Sequence, residues 1–218
     1  MFWMRVIKRN FLIGSVTFLL IYLSFLSRSE WVPMHAWNRA YADVSFFLLV
    51  LTLMIGPLSK FSKYFYRFRS WRRELGIWCA ITATLHVYVL FEGWFQWELI
   101  RLIIGVNQDS GRLTFDPGFT ISNLLGLISL VYVLLLALIS NKAAVKFLGK
   151  PAWDYLQQKS NTLYVLVVTH TTFFLFIFRL ESKNWVEIPF IVIVSVLFIL
   201  QLSSFIKTVY KNKRYNDN

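Results

Sequence analysis

The sequence predicts an all-α integral membrane protein, a single bundle of six transmembrane helices. Hydrophobic residues make up 57% of the 218 residues and charged residues only 16%, whereas soluble chains average about 25% charged residues. The apolar residues form six runs, each near the ~20 residues that cross the ~30 Å hydrocarbon core of a bilayer. Tryptophans gather near the ends of these runs, which is typical of the aromatic belt at membrane interfaces.

The six spans are predicted at residues 11–27, 41–58, 74–97, 119–140, 160–180 and 185–206. The first run follows a short basic segment, but no small-residue cleavage site follows it, so we expect a retained helix rather than a signal peptide. The second run ends at Gly56-Pro57. No connecting segment is long enough to fold alone. Residues 1–218 are therefore expected to form one transmembrane domain, with no soluble domain.

Lysine and arginine predict the orientation of the bundle. With six spans, both termini lie on one side, together with the segments 59–73 and 141–159. That side holds 17 of the 23 Lys and Arg residues, so the positive-inside rule predicts that both termini are cytoplasmic. The net charge of +12 then reflects topology and contact with anionic lipid, and nothing else in the sequence supports nucleic-acid binding. The single Cys79 excludes an internal disulfide and a thiol-pair redox mechanism.

Two histidines lie inside predicted spans, where an ionisable side chain is costly and marks a candidate functional site. On span three, His86 lies about 20 Å along the helix axis from Arg73. On span five, His170 lies about 16 Å along the axis from Lys159. Two imidazoles at matched depth on parallel helices can bind one metal macrocycle between them. Haem b fits this pattern, because its iron accepts axial imidazoles and apolar helices suit the porphyrin. Small residues near both histidines can form slots for it: Ala80, Thr82, Ala83 and Thr84, and Thr169, Thr171 and Thr172.

Other roles for these histidines stay open at this stage. Each imidazole can instead form a hydrogen bond to a neighbouring helix and have only a structural role. A zinc site is disfavoured because two histidines without a carboxylate or thiolate provide too few ligands. A proton relay would need more carboxylates at that depth. The third histidine, His35, falls in the predicted loop before span two.

Several short motifs resemble the ferric reductase-like transmembrane domain family over about residues 40–180. The matching residues are Gly56-Pro57-Leu58, Trp71-Arg72-Arg73-Glu74-Leu75-Gly76 and His86, then Leu125-Gly126, Leu136-Ala137-Leu138-Ile139-Ser140, Leu148-Gly149, Trp153, Leu156, Tyr164 and His170. The chain is especially similar to the haem-binding membrane subunit of the bacterial methionine sulfoxide reductase system. The resemblance implies a six-helix bundle that binds haem b, with His86 and His170 as axial ligands, and electron transfer from a cytoplasmic flavin or nicotinamide donor.

The chain departs from the family pattern at its inner side. Family members often carry a second histidine on span five, 13 residues earlier, and here that position is Gln157; the equivalent position on span three is Arg72 or Arg73. An inner haem is therefore not expected. We hypothesise a flavin or quinone there, bound by Arg72, Arg73, Gln157 and Lys159; the alternative is that these are ordinary residues of a positive cytoplasmic side.

Other polar residues near span ends also have two interpretations. Arg39 can bind a haem propionate, since guanidinium pairs well with carboxylate, or can be an interfacial arginine that extends toward water. Arg179 has the same two interpretations. Ser122 and Asn123 are expected to cap span four.

The sequence therefore favours an oxidoreductase component that relays single electrons through haem b. It has no glycine-rich nucleotide motif, which implies a separate cytoplasmic flavin or NAD(P)H reductase. The acceptor on the outer side can be ferric iron, a quinone or a partner oxidoreductase, and a bacterial inner membrane is the expected location. Two alternatives are a cofactor-free transporter, which would need paired discontinuous helices, and an anchor that recruits a partner.

Overall fold

A computed structural model of the chain describes residues 2–106, 113–177 and 185–216. It is 88% helical. Within the described residues, six helices are long and apolar enough to cross a membrane: Val6–Leu26, Pro33–Phe61, Lys63–Phe95, Pro117–Leu138, Lys150–Ile177 and Glu187–Tyr210. The predicted all-α membrane bundle is thus confirmed.

The regular elements follow one another as α1 (Phe2–Leu26), α2 (Pro33–Phe61), α3 (Lys63–Tyr66), α4 (Arg72–Leu90), β1 (Ile104–Val106), β2 (Leu113–Phe115), α5 (Pro117–Leu138), α6 (Lys142–Leu148), α7 (Lys150–Gln158), α8 (Ser160–Thr172) and α9 (Glu187–Asn216). Two 3₁₀ turns, Arg67–Trp71 and Leu99–Leu102, precede α4 and β1. Two π-helical turns, Phe91–Phe95 and Phe173–Ile177, directly continue α4 and α8.

The short hairpin β1–β2 was not predicted. Its strands pair antiparallel, with Ile104 opposite Phe115 and Gly105 opposite Thr114. Residues 107–111, whose composition predicts a turn, lie outside the described residues, as does Arg179. We call the end of the bundle that carries this hairpin, with residues 27–32, 96–106 and 113–116, the hairpin end. The opposite end, with residues 59–71 and 139–159, is the basic end.

The first part of α1 and the last part of α9 both contact the basic end. Arg9 of α1 forms an ion pair of 2.8 Å with Glu74 at the start of α4. Lys207 near the end of α9 donates a hydrogen bond of 2.7 Å to the backbone carbonyl of Lys60, near the end of α2. The even number of crossings predicted from the sequence therefore agrees with the contacts between helices.

Helix α2 begins eight residues before its predicted start at residue 41. Val32 is its N-cap and Pro33 its first residue, a position that proline favours because its fixed φ suits a helix and its missing N–H leaves no donor unsatisfied. The expectation of a loop at His35 is therefore wrong, and Asn38 and Arg39 also lie in the first turns of α2. Helices α1 and α9 likewise extend past their apolar runs, because hydropathy detects only the part inside the hydrocarbon.

The apolar core surrounds α2. Ala40 of α2 and Leu197 of α9 are fully buried, and Cys79 and Ala80 of α4 are almost so. Further buried members come from α1, α5 and α8: Ile13, Ile21, Val133 and Leu163. Large apolar side chains remain exposed on the outer faces of the helices, for example Phe11, Ile188 and Phe198. In a bilayer these exposed apolar side chains contact acyl chains rather than water, so their exposure is not unfavourable.

Candidate functional site

A large cavity lies between α2, α4, α5 and α8. Its volume is about 1170 Å³, and its lining includes His86, His170 and Arg39. Ligand pockets typically measure about 300–1,000 Å³, so the space is sufficient for a large planar cofactor. The structure thus places the two histidines predicted to form a pair on the walls of one cavity.

The imidazole of His86 is oriented by α2. Its Nδ1 donates a hydrogen bond of 3.1 Å to the backbone carbonyl of Asn38. The Asn38 side chain, which is buried, returns a hydrogen bond from Nδ2 to the backbone carbonyl of His86, at 3.0 Å. This reciprocal pair fixes both the ring and the position of α4 against α2.

The imidazole of His170 is oriented in the same way by α5. Its Nδ1 donates a hydrogen bond of 2.7 Å to the backbone carbonyl of Ser122, a fully buried residue. The ring packs directly against Gly126, where an added Cβ would lie 2.7 Å from Cε1 and 2.9 Å from Nδ1. Only a glycine leaves room for the imidazole at this point of α5.

These contacts leave both Nε2 atoms available as metal ligands. A carbonyl oxygen can only accept, so each Nδ1 carries the proton and each Nε2 keeps its lone pair. In the part of the chain that the structure describes, neither Nε2 has a hydrogen-bond partner. Metal-binding histidines are commonly oriented by such a hydrogen bond from the other ring nitrogen to a carbonyl.

The two ligand helices share further features. Each oriented histidine lies 48 residues after the residue whose carbonyl it contacts. Each helix also changes to a π-helical turn after its histidine, at Phe91–Phe95 and at Phe173–Ile177. Single π turns within helices occur frequently at functional sites. The α2–α4 and α5–α8 pairs therefore present their imidazoles to the cavity by the same local arrangement.

The donor set fits a metal that brings its own in-plane ligands. Among the described residues, no group of three or more His, Cys, Asp or Glu side chains could hold a bare ion, and a structural zinc site requires four ligands. Two imidazoles with free Nε2 atoms match the axial positions of a haem iron. Much of the cavity wall is apolar, including Ala83, Leu130, Val167 and Phe174, as the porphyrin requires. Of the small residues predicted to form slots, Ala83 and Thr171 line the cavity.

Arg39 shares this cavity with the histidines. It lies next to Asn38 on α2, and its guanidinium carbon is 5.8 Å from the centre of the Phe174 ring. A cation on the wall of an apolar cavity can pair with a carboxylate of a bound cofactor. The predicted role in binding a propionate stays a prediction.

The other predicted site residues lie elsewhere. Arg72, Arg73 and Gln157 do not line the cavity. Arg72 donates from Nε to the backbone carbonyl of Thr52, at 3.1 Å, and Gln157 donates from Nε2 to Ser140 Oγ, at 3.2 Å. Arg72 and Gln157 therefore each have a structural partner near the basic end. A flavin or quinone bound at that end stays a prediction.

Several residues of the site were missed in the sequence. Asn38 and Ser122 contribute backbone carbonyls, and Gly126 leaves room for the His170 ring because it has no side chain. None of these roles can be recognised from the residue type in the sequence. The equal spacing of 48 residues to a histidine was the one available signal. The expectation that Ser122 and Asn123 cap α5 is wrong: Asp116 is the cap, accepting hydrogen bonds from the backbone N–H groups of Gly118 and Phe119.

Comparison with models of protein families gives a match. The model of the family described as ferric reductase-like transmembrane component matches residues 41–168, more than half of the chain. The matched region contains His86 and ends two residues before His170. No curated protein matches the chain.

Proposed function

Since the chain belongs to the ferric reductase-like transmembrane component family, we propose that it is a membrane haem b protein that passes single electrons across the bilayer. Family membership indicates a role in transmembrane electron transfer. The observation that supports haem as the cofactor is the pair of imidazoles on one cavity, each with Nδ1 tied to a backbone carbonyl and Nε2 available. A bound haem would supply one-electron chemistry at its iron.

In this proposal the residues of the chain bind and orient the cofactor and exclude water from it. His86 and His170 are the axial ligands, and the carbonyls of Asn38 and Ser122 hold their rings at fixed angles. Because both ligands are held by separate helix pairs, the ligand geometry need not rearrange when the iron changes oxidation state. Arg39 pairs with a propionate.

The direction of transfer follows from the charge distribution. The basic end faces the cytoplasm by the positive-inside rule, and the membrane is a bacterial inner membrane. A separate flavin or NAD(P)H reductase donates electrons there. The acceptor lies beyond the hairpin end and is ferric iron, a quinone or a partner oxidoreductase, as the similarity to the methionine sulfoxide reductase system implies. Arg72, Arg73 and Gln157 are candidates for an inner flavin or quinone, and the absence of both from the purified protein would exclude that site.

The experiment is absorption spectroscopy of the purified protein from haem-replete cells. We expect a strong Soret band in the wild type, and its loss or displacement in His86→Ala and in His170→Ala. His35→Ala is the matched control, because its ring also lines the cavity but stacks on Trp94, with 4.3 Å between ring centres. The control should keep the wild-type spectrum.

A colourless wild-type protein would contradict the proposal and favour a transporter or a partner-recruiting anchor. A Soret band that survives both histidine substitutions unchanged would place the haem elsewhere. If the band were lost only in His35→Ala, the assignment of His86 and His170 as the haem ligands would be wrong.

A further inference from the structure

Two partly buried ion pairs connect α1 and the residues directly after it to the rest of the bundle. Near the basic end, Arg9 pairs with Glu74 at 2.8 Å. Near the hairpin end, Arg28 pairs with Asp43 at 2.5 Å. The two pairs are alike in chemistry, but their carboxylates have different surroundings, since Asp43 lines the cavity that holds both histidines and Glu74 does not.

The Arg28–Asp43 pair is oriented with its negative end toward the cavity. Asp43 is one of the residues that line the cavity, whereas Arg28 is absent from the cavity wall. The Arg28 side chain is only 1% exposed and lies between the rings of Trp31 and Trp185, 5.5 Å and 5.3 Å from their centres. Ser24 donates a further hydrogen bond to the same Asp43 oxygen, at 3.0 Å. Arg28 and Ser24 thus both donate to the same carboxylate oxygen and hold it in place.

A pair of this kind is an inefficient way to attach a helix. Removing two charges from water costs several kcal/mol per ion, and the mutual attraction often only offsets that cost. The field of a buried carboxylate, in contrast, is weakly screened and acts over a long distance. Whatever charge develops inside the cavity therefore interacts with Asp43.

We propose that Asp43 lowers the reduction potential of the cofactor bound by His86 and His170, and that Arg28 limits the size of this effect. The inference rests on the proposed function. A nearby carboxylate stabilises the more positive oxidised iron relative to the reduced iron. Arg39, one helical turn before Asp43 on the same wall, acts with the opposite sign. Asp43 is a positioning residue in this scheme: it sets the equilibrium and does not contact the iron.

The test is a redox titration of the haem-loaded, full-length protein, followed by its absorption spectrum. At an effective dielectric constant of about 20, a unit charge changes a one-electron equilibrium about tenfold across a separation of about 12 Å, which equals about 59 mV. We expect Asp43→Asn to raise the midpoint potential by about this amount. Glu74→Gln is the matched control, because Glu74 on α4 also pairs with an arginine but lies outside the cavity, so its neutralisation should leave the potential unchanged.

Asp43→Asn leaves Arg28 buried without its counter-charge, which can prevent folding. A second variant keeps the inference testable in that case. The double variant Arg28→Gln/Asp43→Asn removes both charges and should also raise the potential, by less than the single variant. An unchanged or lowered potential in the folded variants, or an equal rise in Glu74→Gln, would overturn the inference alone. A wild-type protein without haem would overturn the proposed function and the inference together.

Discussion

At the scale of single residues, the site depends on two backbone carbonyls and one glycine, none of which acts through a side chain. The carbonyls of Asn38 and Ser122 fix the imidazole tautomers, and the missing side chain of Gly126 makes room for the His170 ring. His86 and His170 could be found in the sequence because an ionisable group within an apolar run is conspicuous. Backbone carbonyls occur at every residue, so their role became visible only when the helices were packed together.

Gly126→Ala tests the fit between His170 and α5. The new Cβ would lie 2.7 Å from the ring carbon Cε1, so the imidazole must move away from its present position on the cavity wall. We expect haem content to fall, or the absorption spectrum to change to that of a haem with one protein ligand. Gly76→Ala is the control, because a Cβ there meets nothing within 4 Å. Equal spectra for both variants and the wild type would contradict the proposed packing.

At the scale of helices, hydropathy located all six crossings but not their first residues. The start of α2 depends on Pro33 and the start of α5 on Asp116, both of which lie outside the apolar runs. The hairpin β1–β2 escaped prediction because its strands are only three residues long. The π turns that follow both histidines leave no periodic signal in so short a segment.

Asp116→Ala tests the cap of α5. Loss of an N-cap side chain typically costs about 1 kcal/mol, so we expect a lower thermal unfolding midpoint for the purified protein. Asp116→Asn serves as the control, since an asparagine oxygen can accept the same hydrogen bonds and asparagine is as favourable an N-cap as aspartate. Equal destabilisation by Asp116→Asn and Asp116→Ala would show that the cap is wrongly assigned.

At the scale of the whole molecule, charge and hydropathy together predict the architecture. The apolar runs gave the number of crossings, and the contacts of Arg9 and Lys207 agree with both termini at one end. Which end faces the cytoplasm depends on Lys and Arg alone, because helix packing is the same in either orientation. The cavity could not be predicted, since its walls come from four helices distant in the sequence.

Cysteine labelling in intact cells tests the orientation. The natural Cys79 is buried and can be replaced by alanine to give a cysteine-free background. We expect a membrane-impermeant maleimide to label Glu98→Cys, at the hairpin end, and not Lys146→Cys, at the basic end. The opposite pattern would place the basic end outside and reverse the proposed direction of electron transfer.

The most direct test of the central claim combines haem quantification with electron paramagnetic resonance of the oxidised wild-type protein. We expect one haem b per chain, with the low-spin signal of an iron held by two imidazoles. A high-spin signal, or the absence of haem from protein made in haem-replete cells, would contradict the assignment of His86 and His170 as a shared ligand pair.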